Sequence, residues 1–174
     1  NIRPSRPKPP RTWRRLSWLA TRISAKPTPR RQWLALLDFG DHYRPFLEQK
    51  LGGAIDENSV CIARLRNGAP VAVFAFSGWH SGDIEGSLWC EPTGLSVRLL
   101  RCCAHYVFGQ LGCNRITIKV RADNEPMLAL APRIGFKHEG VMRRANNGVD
   151  LVIFGLLSEE CRWHGQQTET AETA

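Results

Sequence analysis

The sequence predicts a mixed α/β fold of the α+β kind, with a mostly antiparallel central sheet flanked by helices. Three observations carry that expectation. Val60 to Arg66 and Val71 to Ser77 read as strands on either side of Asn67-Gly68, the strongest two-residue hairpin signal. Leu95, Leu99, Cys102, Cys103, Tyr106 and Val107 recur at helical spacing and run out at Gly112. A second strand pair, Phe136 to Arg144 and Val149 to Leu157, closes across Asn146-Asn147-Gly148.

In chain order, Asp41 is expected to cap a short helix over His42 to Lys50 that Gly52 and Gly53 end. The first two strands follow, and Ser81-Gly82-Asp83 turns the chain into a third, Ile84 to Cys90, giving an antiparallel meander. Pro92-Thr93-Gly94 breaks the pattern before the long helix. Ile116, Ile118 and Val120 alternate in a fourth strand, Arg115 to Arg121, which Asp123-Asn124 ends. Glu125 to Ile134 reads as a short helix. Pro126 is tolerated in a first turn, whereas Pro132 is expected to bend or shorten the helix. The two closing strands complete the sheet.

The chain has 174 residues, 43% hydrophobic and 23% charged, which suits one domain with a single real core. Its longest apolar runs, Ala69 to Phe76 and Leu151 to Leu157, fall far short of the roughly 20 residues that span a bilayer. The net charge of +8 is unevenly placed: residues 1–33 hold ten basic side chains and no acidic one, while residues 34–174 hold 14 basic and 16 acidic. That arm also carries six of the eleven prolines, which deny it regular structure at both ends. Between them, Trp13, Leu16, Leu19 and Ile23 permit a short basic amphipathic helix. Three readings of the arm stay open: a bland tail, a phosphate-binding segment for nucleic acid, or a mitochondrial-type transit segment. Residues 34–163 are expected to form the domain and 164–174 a polar tail. No apolar core of a secretory signal follows the charges, so a cytoplasmic location is expected, with a mitochondrial one as the alternative.

Six cysteines (Cys61, Cys90, Cys102, Cys103, Cys113, Cys161) form no CxxC pair and no Cys/His ladder, so reduced, mostly buried thiols and no metal site are expected.

Two local features resemble a known family. Asn124 is followed eleven and twelve residues later by Gly135-Phe136, and then by Glu139-Gly140 and Arg143. Tyr106-Val107-Phe108 and Leu111-Gly112 end the long helix just before Arg115-Ile116. With the order of elements, these resemble the GNAT family of acyl-CoA-dependent N-acyltransferases, in particular its ribosomal-protein N-acetyltransferase branch. The compact variants encoded by tailed phages and prophages are also similar, including at Glu160-Cys161-Arg162-Trp163. The resemblance covers about residues 42–163.

The resemblance implies acetyl-CoA as co-substrate and an amine-bearing small molecule or protein as acceptor. It implies a pyrophosphate-binding turn at the start of the long helix, Glu91-Pro92-Thr93-Gly94-Leu95-Ser96, running on through Val97 and Arg98. Glu91 stands where the family has Gln or Arg, and Arg98 is a candidate for the compensating charge. On the residues alone, Gly94-Leu95-Ser96 is a weak signal that more often marks an ordinary helix cap. Leu88, Trp89 and Cys90 are implied to offer backbone groups to the pantetheine arm, and Asn124 to lie near the thioester. Glu85 is the implied general base, with a solvent-facing strand carboxylate as the equal alternative; Asp83 and His80 come next. The family's acidic Tyr corresponds to Ala131. These two departures keep open a binding module that has lost catalysis.

Overall fold

The computed structural model describes residues 37–165; the basic arm and all but the first two residues of the polar tail lie outside the described residues. A three-residue strand β1 (Leu37–Phe39) precedes a 3-10 turn (Asp41–Tyr43) and helix α1 (Arg44–Leu51). Strands β2 (Val60–Arg66), β3 (Ala69–His80) and β4 (Asp83–Cys90) form the expected meander. Helix α2 (Val97–Ala104) continues as a π-helical segment (His105–Gln110), then come β5 (Arg115–Arg121), α3 (Glu125–Ile134), β6 (Lys137–Asn146) and β7 (Val149–Leu157). The sheet order is β1-β2-β3-β4-β5-β7-β6, antiparallel throughout except for β4 beside β5.

The hairpins form where turn chemistry places them. Asn67 and Gly68, Ser81 and Gly82, and Asn147 and Gly148 all take positive φ, the conformation that a tight hairpin between twisted strands requires. Gly52 ends α1 at φ 67 and Gly112 follows α2 at φ 66, both as expected.

Several boundaries differ from expectation. Asp41 caps nothing: it opens the 3-10 turn, and α1 starts two residues later than His42, with Pro45 in its first turn. Strand β1 has no sequence signature because three residues carry no periodicity. It is held instead by pairing with β2 and by the Tyr43 hydroxyl, which donates to Asp38 Oδ2 at 2.7 Å. Helix α2 begins at Val97 rather than Leu95. The six residues that follow it, His105–Gln110, form a π turn, closed by Leu111 N–H donating to Tyr106 O, and three consecutive side chains, Tyr106, Val107 and Phe108, are all buried there. Pro132 sits within the last turn of α3 without ending it early; the helix stops at Gly135, in the left-handed region.

Helices α2 and α3 cover one face of the sheet, and α1 covers the other over β2 and β3. Phe74, Phe76, Ile84, Ile116, Ile118, Phe154 and Leu156 pack under α2 and α3, where Leu99, Cys103, Val107 and Ile134 meet them. On the other face Cys61, Ala63, Val73 and Ala75 pack against Tyr43 and Leu47 of the α1 side. All six cysteines are free, and burial pushes each thiol up.

On that second face, β5, β7 and β6 are tied by one ion pair. Arg115 of β5 reaches across Gly155 of β7 and donates through both terminal nitrogens to the Glu139 carboxylate of β6. A Cβ at position 155 would fall 2.7 Å from the Arg115 guanidinium, so glycine leaves the path open. The guanidinium holds the Glu139 carboxyl below its ordinary value. A carboxyl lowered on folding stabilises above its unfolded pKa of about 4.3, and that contribution is lost as pH falls through the lowered folded value. The expected outcome is that Glu139→Gln lowers the melting temperature at pH 7 but narrows the gap to wild type below about pH 4. Equal melting curves at pH 7 would show the pair to be idle.

Candidate functional site

Strands β4 and β5 are paired over only three positions: Asp83↔Arg115, Ile84↔Ile116 and Glu85↔Thr117. Beyond these, β4 stays bonded to β3 as far as Cys90, and β5 stays bonded to β7 as far as Arg121. The two antiparallel halves of the sheet therefore splay apart in a wedge. Backbone N–H and C=O groups on the facing edges of residues 86–90 and 118–121 have no partner strand, and such groups need water or a ligand. Gly86 stands at the first unpaired position, where a Cβ would press to 3.2 and 3.3 Å against the Cγ2 atoms of Ile116 and Ile118.

The open end of β4 leads into a tight turn. Glu91 N–H donates to Val71 O (2.9 Å), and Gly94 N–H donates to Glu91 O (2.8 Å). A side chain at Gly94 would collide with the Val71 carbonyl, its Cβ only 2.9 Å from the carbonyl carbon. Two arginines of β2 hold the far side: Arg64 donates to Thr93 O (3.0 Å) and Gly94 O (2.7 Å), and Arg66 to Thr93 O (3.1 Å) and Oγ1 (3.0 Å). With its carbonyls drawn toward β2, the turn delivers the chain to Ser96, whose Oγ accepts from Leu99 N–H at 3.2 Å and caps α2. The N–H groups of Val97 and Arg98 have no intrahelical acceptor, and the positive end of the helix points outward with them. Glu91 is neutralised by Arg66, 3.5 Å away, and not by Arg98, which is exposed outside the groove.

A groove of about 620 Å³, within the size range of small-molecule sites, runs from this turn to α3. Of the positions singled out in the sequence, Leu88, Trp89, Cys90, Leu95, Ser96, Val97 and Asn124 line it, while Gly94 is buried behind the turn. Asn124 also caps α3, its Oδ1 accepting from Met127 N–H at 3.2 Å. Lys50, Met127, Leu130 and Arg133, which also line the groove, and Arg66 behind the turn carry no such mark in the sequence. Only the periodicity that put Met127, Leu130 and Arg133 on one helix could have pointed to them. A smaller apolar cavity of about 30 Å³ lies deeper, between Gly86, Ile116 and Ile118 of the wedge and Leu100, Cys103 and Met127 of the helices. Trp163 closes it from the C-terminal segment, its Nε1 donating to Ile134 O at 2.8 Å.

Glu85 lies at the last paired position of the wedge, on the face opposite Gly86 and Leu88. Its Oε2 accepts from Lys119 Nζ at 2.7 Å, across the mouth of the splay, and Oε1 has no partner among the described residues. Asp83, two residues earlier, accepts from Thr117 Oγ1 at 2.9 Å, and Thr117 in turn accepts from Arg115 Nε at 2.9 Å. Asp83 is thus tied into the Arg115–Glu139 pair and away from the wedge mouth. His80 ends β3, paired with Asp83 at the closed end. Ala131 is fully buried and offers no proton. Tyr106 is buried against Phe76, and burial pushes its hydroxyl up to about 12. Among the described residues no group of three His, Cys, Asp or Glu could hold a metal ion, and no helix is long and apolar enough to cross a membrane.

No protein-family model matches the chain. The Bacillus subtilis protein "Putative ribosomal N-acetyltransferase YdaF" is 33% identical over 93 residues, 51% of this chain. The chain spans 46% of that relative's length. Among solved structures, a GNAT-family acetyltransferase from Bacillus anthracis superposes with a TM-score of 0.54 at 14% identity, over 71% of this chain and 96% of that one. The chain has the fold of that GNAT-family acetyltransferase. A second solved structure, "Structure of yncA, a putative ACETYLTRANSFERASE from Salmonella typhimurium with its cofactor Acetyl-CoA", matches with a TM-score of 0.55 at 16% identity, over 70% of this chain and 92% of that one. At such identities these two structures speak for the fold alone. What the chain shares with them is the mixed α/β fold with a mostly antiparallel sheet and flanking helices.

Gly94 is the point where the turn is locked to the sheet. Gly94→Ala is expected to cost roughly 3 kcal/mol, a fall of about 6–12 °C in melting temperature, because the obstacle is the Val71 backbone and not a movable side chain. Scanning calorimetry of the purified variant measures this; an unchanged melting temperature would mean that the turn is not locked as described.

Proposed function

We propose that this chain is an acetyl-CoA-dependent N-acetyltransferase acting on a primary amine, carried by a small molecule, a lysine or a protein N-terminus. The observation that carries the reading is the wedge, with its unpaired β4 edge leading straight to a turn and helix start whose N–H groups are open. A pantetheine arm has amides that pair with such an edge, as an added strand does, and a pyrophosphate suits a helix N-terminus. Leu88, Trp89 and Cys90 supply the edge, Val97 and Arg98 the N–H groups, and Ser96 and Gly94 the shape of the turn. Acetyl-CoA brings an activated acyl thioester; the chain has to hold it, bring up an amine and take a proton from that amine.

Glu85 is positioned for the last task. It lies where the strands part, on the face away from α2 and α3, so an amine can approach from that face. Lys119 occupies Oε2 and fixes the carboxylate, leaving Oε1 to accept a proton from the attacking nitrogen. Ala131 leaves protonation of the departing thiolate to solvent, which a thiolate tolerates as a fair leaving group. The same departure favours the second reading, an acyl-CoA-binding module without turnover.

The test is calorimetric titration of acetyl-CoA followed by acetyl transfer to a panel of amines. Saturable binding and transfer are expected, with Glu85→Gln lowering kcat by roughly a hundredfold while the acetyl-CoA Kd stays unchanged. Binding without transfer to any amine would favour the module, and absence of binding would overturn both readings.

A further inference from the structure

The charges lining the groove are unequal. Its basic side chains are Lys50, at the end of α1, and Arg133, in the last turn of α3, and neither has an acidic partner among the described residues. Its one acidic side chain, Glu91, is matched by Arg66 from behind the turn. The groove therefore presents net positive charge from two separate elements, in addition to the helix start.

Lys50 is not simply a solvated cation at the end of a helix. Its ammonium lies 5.0 Å from the centroid of the Trp89 ring and 5.5 Å from that of Phe46, and the two rings meet edge to face at 5.1 Å. Trp89 is the β4 residue between Leu88 and Cys90, so this aromatic seat holds the cation beside the unpaired strand edge. An ammonium held over aromatic faces keeps its hydrogen-bond donors free on the outer side, turned to whatever occupies the groove.

We propose that Lys50 is an anion-binding residue of the groove, seated on Trp89 and Phe46 to contact a phosphate of the nucleotide half of acyl-CoA. It provides the side-chain charge that Glu91 withholds from the turn. The proposal rests on the acyl-CoA reading and adds to it a residue from α1, an element outside the turn and helix that the family resemblance implicates. The phosphate is either in the diphosphate bridge or on the ribose, and the two are separable with dephospho-CoA.

The experiment is titration of acetyl-CoA and of dephospho-CoA into the full chain, Lys50→Ala, Lys50→Glu and, as a control of equal charge change, Arg101→Glu, which lies exposed on α2 outside the groove. Lys50→Glu is expected to weaken acetyl-CoA by roughly tenfold or more and Lys50→Ala by about half that factor on a logarithmic scale, with a shallower salt dependence in both. Arg101→Glu should change little. Loss of the Lys50 effect with dephospho-CoA assigns the contact to the ribose phosphate; its persistence assigns it to the diphosphate. A Lys50→Glu variant that binds as tightly as the unaltered chain, or loses no more than Arg101→Glu, overturns the proposal while leaving the acyl-CoA reading intact. Failure of the unaltered chain to bind acetyl-CoA overturns that reading, and the Lys50 contact with it. A lowered melting temperature with unchanged affinity would show that Lys50 only completes the end of α1.

Discussion

Two antiparallel half-sheets are joined through three parallel residue pairs between β4 and β5, and the site depends on there being so few. Each half is fully bonded on its own side, so the halves keep their own twist, and nothing draws residues 86–90 and 118–121 together. A longer parallel run would close the wedge and satisfy the edges that the site leaves open. A shorter one would leave Glu85 without the register that sets it opposite Thr117 and within reach of Lys119. Gly86 belongs to this constraint, because the space beside Ile116 and Ile118 admits no side chain comfortably.

Electrostatics follows the same division of the sheet. On the β5-β7-β6 side, Arg115 and Thr117 of β5, Glu139 of β6 and Asp83 at the start of β4 are bonded to one another in a network that faces away from the groove. On the β2-β3-β4 side, Arg64 and Arg66 are spent on the turn, one on its carbonyls and the other also on Glu91. Lys50, Arg133 and the start of α2, with no acidic partner among the described residues, face one groove. The substitution of an acidic residue at position 91 is therefore compensated behind the turn, by a residue 25 positions earlier in sequence.

Elements specified by local chemistry were legible in the sequence. Asn67-Gly68 and Asn147-Gly148 announce their hairpins, and the periodicity of Leu99, Cys103 and Val107 announces α2, because turn conformation and helical repeat are short-range properties. The π-helical segment was not legible, since Tyr106, Val107 and Phe108 fit an α-helical end equally well until the packing against Phe76 is seen. In the same way, Leu88, Cys90, Ser96 and Asn124 could be placed around one groove from a family pattern, but the partners that define their setting could not. Arg66 meets Glu91 and Lys119 meets Glu85 through strand register, and Lys50 reaches Trp89 through the packing of α1 on the sheet. Register and packing are long-range properties with no local mark.

We propose that the open edge of β4 and the start of α2 together hold acyl-CoA. Amide hydrogen exchange of the full chain, with and without saturating acetyl-CoA, tests it most directly. Slowed exchange is expected over residues 86–90 and at Ser96, Val97 and Arg98, with β6 and the Asn147-Gly148 hairpin unchanged. Binding that protects other segments, with residues 86–98 exchanging as fast as in the free chain, would contradict it.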